Sequence, residues 1–232
     1  MITKPGEDWL TVEFHCHTRY SRDSSNRVEA LIHEARVRGI DRLAITDHNT
    51  ITGALKAKAL APDLIIVGEE ILTQQGELLA YFLTEEIPAR LSADETIARL
   101  RAQNAFIAVP HPFDRHRHGW KVDDLLHILP QMDAIEVFNA RSFRRALNGK
   151  ALFFAREQGI SAIAGSDAHS LVELGFARTL LPPFADADGL LDAVSHSVIH
   201  ARRLSGWAHL KANMGVALGR LAANFGKTEE SA

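Results

Sequence analysis

The sequence has a single cysteine, Cys16, among its 232 residues. One cysteine rules out a disulfide within the chain, so we expect a protein of a reducing compartment and assign it to the cytoplasm. No apolar run approaches the roughly 20 residues that a membrane-spanning helix needs, and the first residues carry no apolar targeting segment. A net charge of −3 provides no global basic field that would hold nucleic acid without sequence preference.

Histidine is the residue type that stands out among those present. There are 12 histidines, and histidine is the commonest metal ligand in proteins. Hydrophobic residues make up 46% of the chain, which is ordinary for a globular protein. With no low-complexity linker or repeat, we expect residues 1–232 to form a single domain.

Short apolar runs alternate with helical patterns along most of the chain. We predict strands at residues 11–14, 42–46, 64–67, 106–109, 134–138, 161–164 and 177–181, and a hairpin formed by 71–73 and 78–83. Helices are predicted at residues 27–38, 51–60, 93–104, 123–129, 143–158, 187–195 and 207–223. Strands separated by helices predict an α/β fold with a parallel sheet. A (β/α) barrel, incomplete or distorted, is the leading architecture, and a doubly wound open sheet is the alternative.

Side chains that can bind a metal follow five of the predicted strands. They are His15 and His17, Asp47 and His48, Glu69 and Glu70, His111, and Asp167 and His169. The carboxyl ends of parallel strands lie on one face of a barrel or along one edge of an open sheet, so these residues should share a site in either fold. Residues two apart in an extended segment point the same way, which lets both His15 and His17 reach one ion, with Cys16 facing away.

The donor types indicate which metals the site would hold. Imidazoles and carboxylates without thiolate suit zinc, manganese or iron. Carboxylates crowded on one face repel one another and resist burial unless cations neutralise them; here these are Asp23, Glu70, Asp167 and the less certain Glu77. The donors exceed what one tetrahedral ion uses, so we predict a multinuclear centre with two or three divalent ions.

The motifs together resemble the PHP (polymerase and histidinol phosphatase) family. They are His15-x-His17 with Ser21-x-Asp23, Thr46-Asp47-His48, Gly68-x-Glu70, Pro110-His111-Pro112, and Gly165-Ser166-Asp167-Ala168-His169. The resemblance covers nearly all of the chain from about Thr11 onward. It implies a distorted (β/α)7 barrel with up to three metals at the carboxyl ends of its strands. It also implies metal-dependent phosphoester hydrolysis.

The resemblance also implies how the ligands are shared. His15, His17, Glu70 and Asp167 would hold one ion; Glu70 would bridge to a second ion that His111 also binds; Asp23, His48 and His169 would hold a third. Many members have a further histidine on the strand after the Gly-x-Glu motif. Here Glu77 stands near that place, so either Glu77 replaces the histidine or the second ion is bound more weakly.

A phosphate substrate needs cationic partners and a proton donor. A metal-activated hydroxide would attack phosphorus, with Asp167 or His169 managing protons and His116 or His118 protonating the leaving group. Because a guanidinium pairs well with phosphate oxygens, we expect substrate contacts from the arginines at or after strand ends, and Asn139 is expected to orient a ligand or the substrate. The candidate arginines are Arg19, Arg115, Arg117, Arg141 and Arg178.

Several functions remain open on the sequence alone. The favoured substrate is a small phosphomonoester or nucleotide, because the overall charge is slightly acidic. The alternatives are a 5′–3′ exonuclease on short nucleic acid ends and a noncatalytic metal-binding regulatory module. A C–N hydrolase of amidohydrolase type is disfavoured, because no lysine occupies a strand end. The predicted helix at 207–223 would pack on the barrel or, less favourably, form a dimer contact, and the oligomeric state stays open.

Overall fold

The computed structural model describes residues 4–202, apart from the side chain of Arg145. This part of the chain contains nine strands that form one sheet. Their bounds are β1 Leu10–Glu13, β2 Arg42–Ile45, β3 Ile65–Leu72, β4 Glu77–Tyr81, β5 Phe106–Val109, β6 Ala134–Asn139, β7 Ser161–Gly165, β8 Ala177–Leu181 and β9 Val198–Ala201. The strand order is β7-β6-β5-β4-β3-β2-β1-β8-β9.

The sheet is mixed rather than purely parallel. Strands β1 to β3 pair in parallel, and so do β5 to β7. Strand β4 runs antiparallel to both β3 and β5, because the turn between β3 and β4 is too short for a crossover helix. Strand β8 runs antiparallel to β1 and to β9.

The barrel nearly closes where the chain leaves β7 and β1. The backbone N–H of Asp167 donates to the carbonyl of His15 at 2.7 Å, and that of His17 donates to the carbonyl of Ala168 at 2.9 Å. These bonds join the segments that follow the two strands. The distorted barrel implied by the resemblance is therefore confirmed, with β8 and β9 as additional strands.

Six α-helices lie between residues 4 and 202. They are α1 Val28–Val37, α2 Thr52–Leu60, α3 Ala93–Ala102, α4 Val122–Ile128, α5 Arg145–Gln158 and α6 Ala187–Val194. Ser92 accepts a hydrogen bond from the backbone of Glu95 at 3.2 Å and so caps α3. Helix α1 shows the amphipathic pattern, because Leu31, Ile32 and Ala35 are buried at helical spacing. Within the described range, no helix has the length and apolar character that would let it cross a membrane.

The predicted elements differ from the structure in two places, and one predicted helix concerns residues that the structure does not describe. Residues 64–67 and 71–73 were expected in separate strands, but β3 runs continuously from Ile65 to Leu72, so Glu69 and Glu70 lie inside it. Strand β9 was not predicted. Its four residues are exposed or half-buried, and it lies at the edge of the sheet beside β8. The predicted helix at 207–223 lies outside the described residues.

Candidate metal centre

Four side chains converge at the carboxyl ends of β1 and β7 and on β3, in what we call the buried corner: His15, His17, Glu70 and Asp167. The Oε2 of Glu70 lies 3.3 Å from His15 Nε2 and 3.4 Å from His17 Nε2. The Oδ1 of Asp167 lies 3.3 Å from His17 Nε2 and 3.7 Å from His15 Nε2. All four side chains are at most 1% exposed.

These four atoms have no hydrogen-bond partner among the described residues, although all are buried. A buried polar atom without a partner is costly, and a group of two imidazole nitrogens and two carboxylate oxygens is a fitting donor set for a divalent cation. His15, His17 and Glu70 lie close enough to share an ion, and so do His15, Asp167 and the neighbouring His111. The residues present therefore fit the metal that the resemblance implies.

The buried corner is held by side chains that point its ligand atoms inward. His15 Nδ1 is hydrogen-bonded to Glu136 Oε1 at 3.0 Å, so its Nε2 faces the cluster. His17 Nδ1 is hydrogen-bonded to Ser21 Oγ at 3.1 Å, and that hydroxyl donates to Asp47 Oδ1 at 2.7 Å. Such partners fix the tautomer and orientation of ligating histidines. Asp47 is thus a support for His17 and not a ligand.

The electrostatics of the corner favour bound positive charge. Burial opposes charge on His15, but the carboxylates of Glu70 and Glu136 overcome it and raise the pKa of His15 to about 10. Burial likewise opposes ionisation of Glu70, yet His15 and His48 hold its pKa well below the usual value. A cation would replace the proton that these carboxylates attract.

A second group of donors lies beside Glu70. Its Oε1 is 3.0 Å from His111 Nε2, and Glu77 Oε2 is 3.7 Å from the same nitrogen. His48, Glu70 and Glu77 also lie close enough to share an ion. Burial raises the pKa of Glu77 to about 8, and the charge of Glu70 adds to the shift. Glu77 therefore stands where a further ligand is expected, at the start of β4.

The third group, which we call the open corner, consists of Asp23, His48 and His169. His169 Nε2 is 3.0 Å from Asp23 Oδ2, and His48 Nε2 is 3.5 Å from Asp23 Oδ1. The side chains of Asp23 and His48 are 44% and 31% exposed, in contrast to the buried corner. All the predicted metal ligands thus lie in one continuous cluster.

The backbone at the centre is in rarely populated conformations. Asp167 has a φ of 55° and His111 a φ of 27°, although neither is glycine. Such strain persists only where surrounding contacts hold it, and it is concentrated at functional sites. Gly165 precedes this turn, and a Cβ there would overlap His15 and the carboxylate of Glu136. The close passage of β7 over β1 therefore requires glycine.

A cavity of about 320 Å³ opens above the cluster. Besides the ligands, its walls include His116, Arg117, His118 and Arg141. The guanidinium of Arg117 contacts Asp167 and also donates to Asn139 Oδ1 at 3.2 Å. Arg141 Nε lies 3.2 Å from the buried carboxylate of Glu173. Two arginines and two histidines thus face the same space as the metal ligands.

The structure does not bring the other predicted substrate contacts to this cavity. Arg19 is exposed and lies outside the cavity lining. Arg115 donates to the carbonyl of Gly119 at 2.9 Å and lines a separate surface pocket. Arg178 donates to the carbonyls of Gly175 and Arg38 and faces a different cavity. Proximity of these arginines in sequence to a motif did not decide where the side chains point.

Asn139 orients a ligand instead of lining the cavity. Its Nδ2 donates to Asp167 Oδ2 at 3.0 Å and to Glu136 Oε2 at 2.9 Å. Asn139 is buried, and its Oδ1 accepts from Arg117. It therefore links the carboxylate of Asp167 to an arginine of the cavity.

Sequence reasoning missed three buried carboxylates that support the centre. Glu136 holds His15 and the backbone N–H of His111, the latter at 2.8 Å. Glu13 accepts from the backbone N–H groups of His15 and Ser166, and Glu173 accepts from that of His169 at 2.9 Å. A glutamate inside the apolar run of β6, and one two residues before His15, were available signals in the sequence.

Comparison with known proteins agrees with this geometry. The PHP domain family matches residues 13–105, and the PHP-associated family matches residues 145–198. Two uncharacterised proteins of Methanocaldococcus jannaschii are 36% and 34% identical, over 72% and 62% of this chain and 69% and 90% of their own lengths. The chain belongs to the PHP domain family. The range matched by the PHP domain contains His15, His17, Asp23, His48 and Glu70. The range matched by the PHP-associated family contains Asp167 and His169.

More distant matches include one sequence relative and solved structures that share the fold. A probable phosphatase of Caldicellulosiruptor bescii is 24% identical over 72% of this chain and 83% of its own. PsfC from Pseudomonas syringae has a TM-score of 0.70 at 18% identity, covering 90% of this chain and 98% of PsfC. A candidate metal-dependent phosphoesterase from Bifidobacterium adolescentis has a TM-score of 0.57 at 17% identity, covering 68% and 87%.

Proposed function

We propose that this PHP domain protein hydrolyses a small phosphomonoester or nucleotide with a multinuclear metal centre. The observation that carries the proposal is the convergence of unpartnered buried ligand atoms beneath a cavity that two arginines line. The relative from Caldicellulosiruptor bescii that is named a probable phosphatase supports the same chemistry. The PHP family membership supports a metal-dependent hydrolase in general, and the substrate class is our inference from the cavity.

Each of the three donor groups, namely the buried corner, the group beside Glu70 and the open corner, would hold one ion, and the first two would share Glu70. His15, His17, Glu70 and Asp167 fit one cation; Glu70, His111 and Glu77 fit a second; and Asp23, His48 and His169 fit a third. Divalent cations bound there would acidify water and neutralise charge on phosphoryl oxygens. Zinc, manganese and iron all suit these nitrogen and oxygen donors.

The arginines of the cavity would bind the phosphoryl group. Arg117 and Arg141 both line the cavity, and their planar guanidinium groups can pair with two phosphate oxygens each. The contacts of Arg117 with Asp167 and of Arg141 with Glu173 hold the two guanidinium groups beside the cluster. They would orient the phosphoryl group toward the ligand atoms and balance its negative charge.

Proton transfer to the leaving group would come from the loop that follows β5. His116 and His118 both line the cavity, and imidazole is a common general acid. His118 adopts a left-handed conformation with φ of 52° at the end of the short helical turn 115–117. We assign the general acid to this pair, with His118 preferred. Asp167 and His169 would manage protons at the centre itself.

The size of the cavity favours a small substrate. A volume of about 320 Å³ lies at the lower end of ligand pockets and accommodates a phosphomonoester or a mononucleotide. An exonuclease acting on short ends would need further cationic contacts along a strand. Steep loss of substrate affinity with added salt would favour that alternative, whereas a small phosphomonoester predicts a shallow dependence.

The test is metal analysis combined with turnover of a generic aryl phosphate. We expect the purified full-length protein to carry at least two equivalents of transition metal and to release inorganic phosphate. Arg117→Gln and Arg141→Gln should raise KM, and Arg19→Gln, which removes an exposed arginine outside the cavity, is the matched control. Less than one equivalent, with no turnover after manganese or zinc is added, would defeat the proposal.

A further inference from the structure

A second, larger cavity of about 630 Å³ shares no lining residue with the metal centre. It lies between the end of α1, the start of β1 and β8, and the end of β9. Its charged lining side chains are Lys4, Arg38, Arg178 and Arg202 against one carboxylate, Asp41, and His200 is also present. The cavity is therefore cationic although the whole chain carries a net charge of −3.

Two backbone carbonyls hold the guanidinium of Arg178 in this cavity. Its Nε donates to the carbonyl of Gly175 at 2.8 Å, and its Nη1 donates to the carbonyl of Arg38 at 3.0 Å. The guanidinium packs against Gly175, where a Cβ would lie 2.6 Å from Nη2, so glycine makes room for it. Among residues 4–202, no carboxylate forms an ion pair with Arg178. A half-buried guanidinium whose hydrogen bonds go to carbonyls is oriented without a direct ion pair.

Two further arginines add to this charge. Arg38 is paired with Glu34 at 2.6 Å, and it also donates to the carbonyl of Leu174. Arg202 stacks over the ring of Phe176 at 5.8 Å and has no carboxylate partner in the described range. Burial, together with the charges of Arg38 and Arg202, lowers the pKa of Arg178 although Glu13 opposes the shift. The cations therefore repel one another across the cavity.

The ion pairs among the residues of this cavity leave an excess of positive charge in it. Lys4 is bound to Asp41 at 2.7 Å, and Arg38 is bound to Glu34, whereas Arg178 and Arg202 form no ion pair with a carboxylate among residues 4–202. Two guanidinium groups in this state match the two negative charges of a phosphate monoester. The volume exceeds that of inorganic phosphate and lies within the range of small-molecule pockets.

We propose that this cavity binds a small organic phosphate, with Arg178 and Arg202 as the residues that pair with its phosphate oxygens. The site is separate from the metal centre and does not depend on the proposed hydrolysis. A concave cavity with two guanidinium groups that form no ion pair within residues 4–202 suits a compact dianion better than an extended polyanion, which would require a basic track along the surface. Lys4 and His200 would lie at the rim of the site.

The experiment is calorimetric titration of the metal-loaded, full-length protein with phenylphosphonate, whose carbon–phosphorus bond resists phosphoester hydrolysis. We expect two binding events in the wild type, one at each cavity. Arg178→Gln and Arg202→Gln should each weaken one event by at least about tenfold, because each removes a charge-assisted contact. Arg36→Gln is the matched control. Arg36 is an exposed arginine in the last turn of α1, near Arg38, and it does not line the cavity.

Arg202→Gln keeps the test informative if Arg178→Gln folds poorly, because Arg202 is exposed and contributes only a ring contact among the described residues. Binding that is unchanged in Arg202→Gln and in a folded Arg178→Gln overturns the proposal. A single-stranded oligonucleotide of about ten nucleotides is titrated in parallel. If it competes at far lower concentration than phenylphosphonate, and Arg202→Gln abolishes this, the ligand class is wrong.

Discussion

The buried corner and the open corner of the metal centre use the same residue types in different surroundings. In the buried corner, side chains at most 1% exposed are held by Glu136, Ser21 and Asn139. In the open corner, Asp23 and His48 are 44% and 31% exposed. Buried charges interact more strongly than exposed ones and are screened less by solvent. The two corners should therefore hold their ions with different affinity.

Glu70→Gln should have the largest effect, because Glu70 contacts ligands of both corners and His111. We expect kcat to fall by at least about 1,000-fold, since the metals supply several kcal/mol of transition-state stabilisation and each ~1.4 kcal/mol is tenfold. The measurement is steady-state turnover of an aryl phosphate together with the metal content of the same preparation.

Glu69→Gln is the matched control for Glu70→Gln. Glu69 is the preceding residue of β3, and its Oε2 accepts from the backbone of Ile87 at 3.1 Å, away from the cluster. Burial raises the pKa of Glu69 to about 8, so a neutral amide is a close replacement near neutral pH. Turnover should stay close to that of the wild type. Equal losses in the two variants would mean that β3 as a whole, and not the ligand, was disrupted.

Glu136→Gln tests whether the support of the buried corner matters. The amide would keep the volume but would weaken the orientation of His15, and a loss of roughly 10- to 100-fold in metal affinity or activity is expected for such a change. Metal affinity is measured by competition with a chromophoric chelator. An unchanged affinity for every ion would remove the explanation that we give for the buried corner.

Asp23→Asn should be milder, because its carboxylate is partly exposed and only the open corner uses it. We expect one equivalent of metal to be lost on dialysis, with kcat lowered by roughly tenfold since solvent screens this corner. Elemental analysis before and after dialysis provides the count. Loss of all metal from Asp23→Asn would show that the corners are not independent.

Arg115→Gln should have the smallest effect. Its guanidinium donates a hydrogen bond to the carbonyl of Gly119 and lines a surface pocket separate from the cavity above the metal centre. Because Arg115 does not line the cavity above the metal centre, we expect KM to change by no more than about twofold. The contrast with Arg141→Gln, which removes an arginine of the cavity, is read from KM for the same aryl phosphate. A large increase of KM in Arg115→Gln would mean that the substrate extends beyond this cavity to the surface pocket that Arg115 lines.

Much of the centre could be predicted from strand ends. Ligands such as His15, His17 and Asp167 lie where β1 and β7 end, because the carboxyl ends of parallel strands share one face. Glu70 is different, since it lies inside β3, which continues into the hairpin with β4. The predicted strand end at residues 64–67 offered both Glu69 and Glu70, and the motif spacing selected Glu70, but both were placed after the strand and not within it. A buried carboxylate interrupts the apolar pattern without ending the strand.

The arginines show what local sequence could not decide. Arg117 and Arg141 reach the catalytic cavity, whereas Arg178, also near a strand end, faces the cavity on the other side. Antiparallel pairing places the start of β8 beside the carboxyl end of β1, since Thr179 pairs with Val12. The carbonyls of Gly175 and Arg38 nevertheless hold the side chain of Arg178 in the other cavity. Long side chains from loops also depend on partners far away in the chain, such as Glu173 for Arg141.

The most direct test of the graded metal centre is stepwise chelation of the wild type while metal content and turnover are measured together. We predict that one ion leaves first with partial loss of activity, and that activity disappears only when the ion of the buried corner leaves. Asp23→Asn should lack the first step and keep the last. Release of all ions in one step with a single affinity, or retention of full activity after the last ion is removed, would contradict this account.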